Sequence, residues 1–470
     1  MFAAESKGRA VEPAGMSAIP GSVETEKQPP MTVPLRHFLV ALVLLLAGAV
    51  VGIGPVDALF PGQAALAHVH LLLAGWVCVT IMGAMTQFVP VWSGVELHSR
   101  RLASLQLALV VAGLAVFAGG LLAGAWTTLP AGGALMLAGF WTFVYNIART
   151  LATVEDYDVT ERHFAVALAF FLVLAPLGVL LAVDLNEGIL LGSGVTHQGV
   201  LGAHATVAVF GAVLTTVYGA LYQLGTMFTQ TELHGIDEPL QRVTEVSHPV
   251  GVVLLAGGRL FDVVTAARVG GLAVVLGALA FCAVLGRKLY EMRVEWNPMH
   301  TRYAVAVPTL AVWALTAAPA WASEPTRYVH LLGAEGAMHL LVLGAVGFVV
   351  LGTLYHIIPF IVWVHRYSDL LGFEEVPMID DLYDDRLAAA DATLLVAGTG
   401  LIVAADLFAV PEFAGTAGGT LVALGVVVFG ANMLLVLLDH SPNSLDRILL
   451  GSFSPRRGHS GEEEDAPARQ

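Results

Sequence analysis

About twelve apolar runs, each of some 18 residues or more, follow one another along the chain with only short polar stretches between them. They centre on 36–57, 64–90, 104–125, 128–149, 163–183, 197–226, 247–264, 268–289, 301–321, 331–363, 391–410 and 414–438. Runs of this length span the hydrocarbon core of a bilayer, where every backbone amide must find a partner within the protein. They are too long and too continuous for the alternating strands of a barrel, so each is expected to be a helix. The expected fold class is all-α: a polytopic membrane protein of about twelve transmembrane helices, with the lipid bilayer as its partner. Composition agrees, since 57% of the 470 residues are hydrophobic and 13% charged, with a mean hydropathy of +0.76. The run over 247–264 is the weakest, because Arg259 and Asp262 fall inside it.

Residues 34–440 form the expected membrane domain. Residues 1–33 carry no signal-peptide core and read as a disordered cytoplasmic tail; 441–470 read as an acidic one. Arg100, Arg101, Arg149, Arg162, Arg242, Arg287, Lys288, Arg293, Arg302 and Arg366 gather on one set of loops, against little beyond Arg268 and Arg327 on the other. By the positive-inside rule this places both termini on the cytoplasmic side of the cell membrane. The net charge of −15 sits mainly in tails and loops such as FEEVPMIDDLYDDR at 373–386, and no basic patch invites nucleic acid. Cys78 and Cys282 lie in apolar runs and read as small packing residues. Walker, HExxH, nucleophile-elbow and clustered CxxC patterns are all absent, which argues against soluble-type hydrolase or nucleotide chemistry.

One unit recurs. The stretch HVHLLLAGWVCVTIMGAMTQFVPVW at 68–92 has Gly75, Gly83 and Pro90 at five, thirteen and twenty residues after His70; the same offsets from His339 give Gly344, Gly352 and Pro359. A third copy without the proline begins at His204, where Gly211 and Gly219 stand as Gly75 and Gly83 stand to His68. Helices two, six and ten are therefore versions of one unit. The glycines alone fit close helix packing. The histidines add something else, because ionisable side chains in transmembrane segments are costly and usually face the bundle interior. His68, His204 and His339 are each expected roughly 8–12 Å inside the outer end of their helix, at 1.5 Å per residue.

Imidazoles at one depth on facing helices suit a heme held by two axial nitrogens. Gly75 lies within about 20° of the face of His68 and leaves room for a flat ring. His68 and His70 point about 200° apart, so only one of them serves a given ligand, and the spacing leaves open which.

Histidines on helices two, six and ten of a twelve-span chain resemble subunit I of the heme-copper oxidases, a superfamily that includes the large subunit of nitric oxide reductases. Its helix ten typically reads histidine, any residue, histidine, then histidine seventeen residues on and proline at twenty. His339, His356 and Pro359 keep that spacing, and IMGAMTQFVP at 81–90 is similar to the end of helix two in the reductase branch. The HVH opening and the VPVWSG end of helix two also resemble NnrS, a heme-containing membrane protein family linked to nitric oxide stress.

The resemblance implies that His68 and His339 are the axial ligands of a low-spin heme, most simply b-type. It also implies oxidase-type partner subunits, or a cupredoxin or cytochrome donor at the outer face. The chain departs from the pattern at the gas-reducing site. The high-spin ligand position two residues before His339 is Ala337, the copper motif is missing after His204, and helix seven offers only SHP at 247–249. Copper at His204 would need a further ligand. Ser247 before His248 and Pro249 reads as a helix cap.

Among the remaining polar residues, Glu335 is spaced one helical turn before His339 and could fix its tautomer, or else pair with Arg327 or water. Arg259 and Arg327 could hold heme propionates, or merely snorkel. Tyr355, His356, Gln87 and Gln223 form a polar level deeper in the bundle, open to a proton path or to helix-to-helix hydrogen bonding. Three functions follow as expectations: electron transfer on one bis-histidine heme with a degenerate binuclear site, an active oxidase or nitric oxide reductase, or a proton-coupled transporter using the same histidines.

Overall fold

The computed structural model describes residues 29–53, 59–411 and 413–451. The expected tails over 1–28 and 452–470 lie outside them. Within the described parts of those tails, the first helix begins at Thr32, and a short helix, Leu445–Leu450, is held by the Arg36 guanidinium donating to the Ile448 carbonyl at 2.8 Å. Twelve long helices make up the body, in chain order α1 (Thr32–Val51), α2 (Ala64–Ser93), α3 (Arg100–Ala123), α4 (Leu129–Leu151), α5 (Val159–Glu187) and α6 (His197–Thr229). The second half is α7 (Asp237–Leu260), α8 (Val264–Glu291), α9 (Pro298–Ser323), α10 (Leu340–Arg366), α11 (Asp385–Leu407) and α12 (Phe413–His440). All but α7 are long and apolar enough to cross a membrane, eleven among the described residues. The chain is an all-α polytopic bundle with no β-strand among the described residues.

These helices fall into three four-helix units: α1–α4, α5–α8 and α9–α12. In each unit the first helix packs on the second and the third on the fourth. The units then close into a ring, α4 against α5, α8 against α9 and α12 against α1. Glycines set the register. A Cβ added at Gly83, Gly219 or Gly352 would lie 2.7 Å from the Cβ of His37, 2.5 Å from that of His163 and 3.0 Å from that of Arg302, so the second helix of every unit meets a basic residue of the first at the same point. A shared clasp joins the third and fourth helices. The Asn146 side chain bonds both the N–H and the carbonyl of Ser99, the residue capping α3, at 2.9 and 3.0 Å; Asn432 does the same for Asp384 ahead of α11, both at 2.9 Å. In the middle unit a buried Lys288–Asp237 ion pair at 2.8 Å takes that place.

That ion pair explains where α7 begins. The apolar run suggests a start near 247, with Ser247 as its cap. Asp237, fully buried, is instead clasped by Lys288 and by Arg287 at 2.7 Å, so the charged turns before the run are helical too. Ser247 is mid-helix, and Pro249 is accommodated inside.

A second difference concerns α10. The apolar stretch 331–337 is not helical, with Gly333 at φ +119° and Gly336 at φ +75°. Side chains bond the carbonyls where it begins: Arg259 donates to His330 and Leu331 at 3.0 and 2.9 Å, Trp321 to His330 and Trp313 to Leu332, both at 2.7 Å. Non-helical backbone is tolerated at membrane depth only when buried and bonded in this way. His339 therefore sits at the start of α10, not two turns inside it. Cys78 and Cys282 are free and buried.

Candidate functional site

Three π-helical turns interrupt α2, α6 and α10, over Leu71–Val77, Val207–Leu214 and Leu340–Gly347. Each begins directly after the same repeat position, occupied by His70, Thr206 and His339. Such turns widen a helix by one residue and recur at functional sites. Gly75, Gly211 and Gly344 within them serve helix contact. A Cβ at Gly75 would come within 2.8 Å of Leu114 and 3.3 Å of Leu44, and one at Gly211 within 2.7 Å of Phe170. Gly75 thus lets α1 and α3 approach α2, and what it borders is side chain from those helices.

His68 and His339 are brought together from units one and three, close enough to interact electrostatically. The His68 Nδ1 lies 2.8 Å from the Gly48 carbonyl. A carbonyl only accepts, so Nδ1 carries the proton and the Nε2 lone pair is free. The ring abuts the end of α1, where a Cβ at Gly52 would sit 2.4 Å from its Cε1 and Nδ1. His339 Nδ1 donates to Asp406 Oδ2 at 2.5 Å, from the last turn of α11. Neither Nε2 has a protein partner among the described residues. Imidazoles whose far nitrogen is pinned by a carbonyl or carboxylate are the usual form of histidine metal ligands, and the carboxylate partner raises ligand basicity.

His70 and His204 form a second pair, between units one and two, again within electrostatic range. The spacing left the choice between His68 and His70 open; each instead faces a different helix.

Several expected site residues have other work. Glu335 is exposed in the non-helical 331–337 stretch, and the carboxylate that orients His339 is Asp406. Arg259 is buried and spends four of its five N–H donors on the Pro325, His330 and Leu331 carbonyls and on the Thr206 hydroxyl, between 2.7 and 3.0 Å, so it staples the loop before α10. Arg327 is an exposed partner of Glu324 at 2.8 Å, and its guanidinium holds that carboxyl below its ordinary range. His248 is buried and donates from Nε2 to the Phe210 carbonyl in the π turn of α6 at 2.8 Å, since a carbonyl only accepts.

Of the polar level deeper in the bundle, Tyr355 takes part in helix-to-helix bonding, whereas the buried Gln87 Oε1 has no hydrogen-bond partner among the described residues. The Tyr355 hydroxyl donates to Asp391, Asn432 donates to that hydroxyl at 3.2 Å, and Arg302 pairs with Asp391 while lying 4.3 Å above the Tyr355 ring. His356 faces Phe228 and Phe360 instead.

Sequence reasoning missed Asp406, whose one signal is a lone carboxylate in the apolar VAADLF end of α11. It also missed Trp313. Counted from the basic residue at each glycine contact, Trp313 occupies the place of Gly48 and Leu174, the carbonyl partners of His68 and His204. There it joins Trp321 and Phe210 in an aromatic cluster with ring centroids 5.4 to 5.7 Å apart. No family model and none of the curated proteins matches the chain.

Proposed function

We propose that the chain is a heme-binding integral membrane protein of the heme-copper oxidase subunit I type, in which His68 and His339 hold one low-spin heme and the work is electron transfer. One observation carries this reading: imidazoles from two different helices come within electrostatic range of each other at one end of the bundle, each with Nδ1 pinned and with Nε2 free of protein partners among the described residues. The donor set fits the group, since heme iron already has four ring nitrogens and asks the protein for two axial ones. Held by both imidazoles, a heme would supply one-electron redox chemistry, which favours transfer over gas reduction.

The residues around the pair supply the rest. The Gly48 carbonyl sets the plane of the His68 ring, and Asp406 strengthens His339 as a donor. Ala337 and the Trp313 cluster stand where an oxidase would need its high-spin ligand and open space, which supports a lost gas-reducing site.

A reduced-minus-oxidised spectrum of the detergent-purified protein tests the reading. A low-spin b-type band is expected, diminished equally in His68→Ala and His339→Ala. A colourless protein purified from heme-replete cells, or variants with undiminished heme, would overturn it and leave transport as the function to test.

A further inference from the structure

The three-unit architecture places a second histidine pair in the same geometry as the first. His204 stands to α5 as His68 stands to α1. Its Nδ1 donates to the Leu174 carbonyl at 3.2 Å, eleven residues past His163; Gly48 is eleven past His37; and His163 and His37 mark the shared glycine contact. Four residues further on, glycine again makes room for the ring, since a Cβ at Gly178 would come 3.0 Å from His204 Cε1. The partner is equivalent too. His339 and His70 both lie thirteen residues before the contact glycine of their own helix, directly ahead of the π turn. His70 Nδ1 donates to the Leu66 carbonyl at 2.9 Å and its ring packs on Phe117, 4.8 Å between centroids. Each of the two rings keeps Nε2 free of protein partners among the described residues, with Nδ1 committed to a carbonyl.

The third place in this scheme is closed. Thr206 and Ala337 occupy the two ligand positions between units two and three, Arg259 is bonded to the Thr206 hydroxyl, and the Trp313 cluster fills the space.

We propose that His70 and His204 hold a second bis-histidine heme, between α2 and α6. The assignment of heme, as distinct from the pairing, rests on the reading of His68 and His339 above. The surroundings favour it over a bare ion. No carboxylate or thiolate acts on either ring. A divalent cation would keep its charge in an apolar setting with half its coordination unmet, whereas the dianionic porphyrin supplies four nitrogens and most of the countercharge. Because His68 and His70 point about 200° apart, the two residues would hold their hemes on opposite sides of α2.

The test is heme stoichiometry, by pyridine hemochrome against protein, with copper measured on the same sample. Two hemes per chain are expected in the wild type and one in each of His70→Ala, His204→Ala, His68→Ala and His339→Ala. The single heme remaining in each variant reports that the fold survives. Should an alanine variant fail to fold, His204→Met provides a second route: methionine can still ligate, so heme is retained while the midpoint potential of one heme alone rises.

One heme in the wild type, lost only from His68→Ala and His339→Ala, would overturn this inference and leave the first reading standing. One heme lost only from His70→Ala and His204→Ala would overturn the first reading. Copper sensitive to His70 and His204 in place of a second heme would overturn the choice of heme.

Discussion

Asp406 and His339 are 67 residues apart in sequence, yet their 2.5 Å contact sets which nitrogen of His339 is free. Replacing Asp406 with asparagine removes the charge while keeping the shape, and is expected to weaken heme retention about 10–100-fold and lower the basicity of the ligand. Glu335→Gln is expected to change neither. Heme titration of both variants checks this, and an Asp406→Asn protein with wild-type affinity would remove the orienting role. Helical spacing suggested Glu335 only because residues 331–337 were read as helix; Gly333 and Gly336 at positive φ turn the chain there, and the carboxylate four residues before His339 faces solvent. At the opposite end, Asp391 is fully buried against Arg302 and Tyr355. Asp391→Ala leaves the Arg302 charge without its counter-ion and is expected to cost about 3–5 kcal/mol, read by thermal unfolding in detergent.

Among the elements, the contact glycines determine how closely paired helices approach. Gly219→Ala would drive a methyl group to 2.5 Å from the Cβ of His163, which a backbone shift of α6 must absorb. A loss of about 1–3 kcal/mol is expected. Gly119 in α3 has nothing within 4 Å of its missing Cβ, so Gly119→Ala should be neutral or slightly stabilising and serves as the control. Equal melting of the two variants would contradict this account of the register. The repeat of histidine and glycine made α2, α6 and α10 legible as equivalent helices. The start of α7 was not, because what holds its first turns is an ion pair to the far end of α8, outside any local pattern.

For the molecule as a whole, the histidine pairs lie at the end carrying the α5–α6 loop, and most loop cations lie at the other. If the positive end is cytoplasmic, Ser193→Cys, exposed in that loop, reacts with an impermeant maleimide in right-side-out vesicles. Glu155→Cys, exposed between α4 and α5, reacts only after permeabilisation. Cys78 and Cys282 are buried and form a quiet background. The reverse labelling would invert the topology and move the proposed hemes to the inner face.

Run length in a solvent without hydrogen-bond partners is enough to dictate helices and nearly their number, and period alone exposes the repeat. Those are properties of segments, read without knowing their neighbours. Which imidazole faces which, that Asp406 rather than Glu335 orients His339, and that Trp313 closes the third interface all depend on helix adjacency and on bonds between residues remote in sequence. Only packing three units into a ring decides such contacts, because each unit presents the same face and its partner differs.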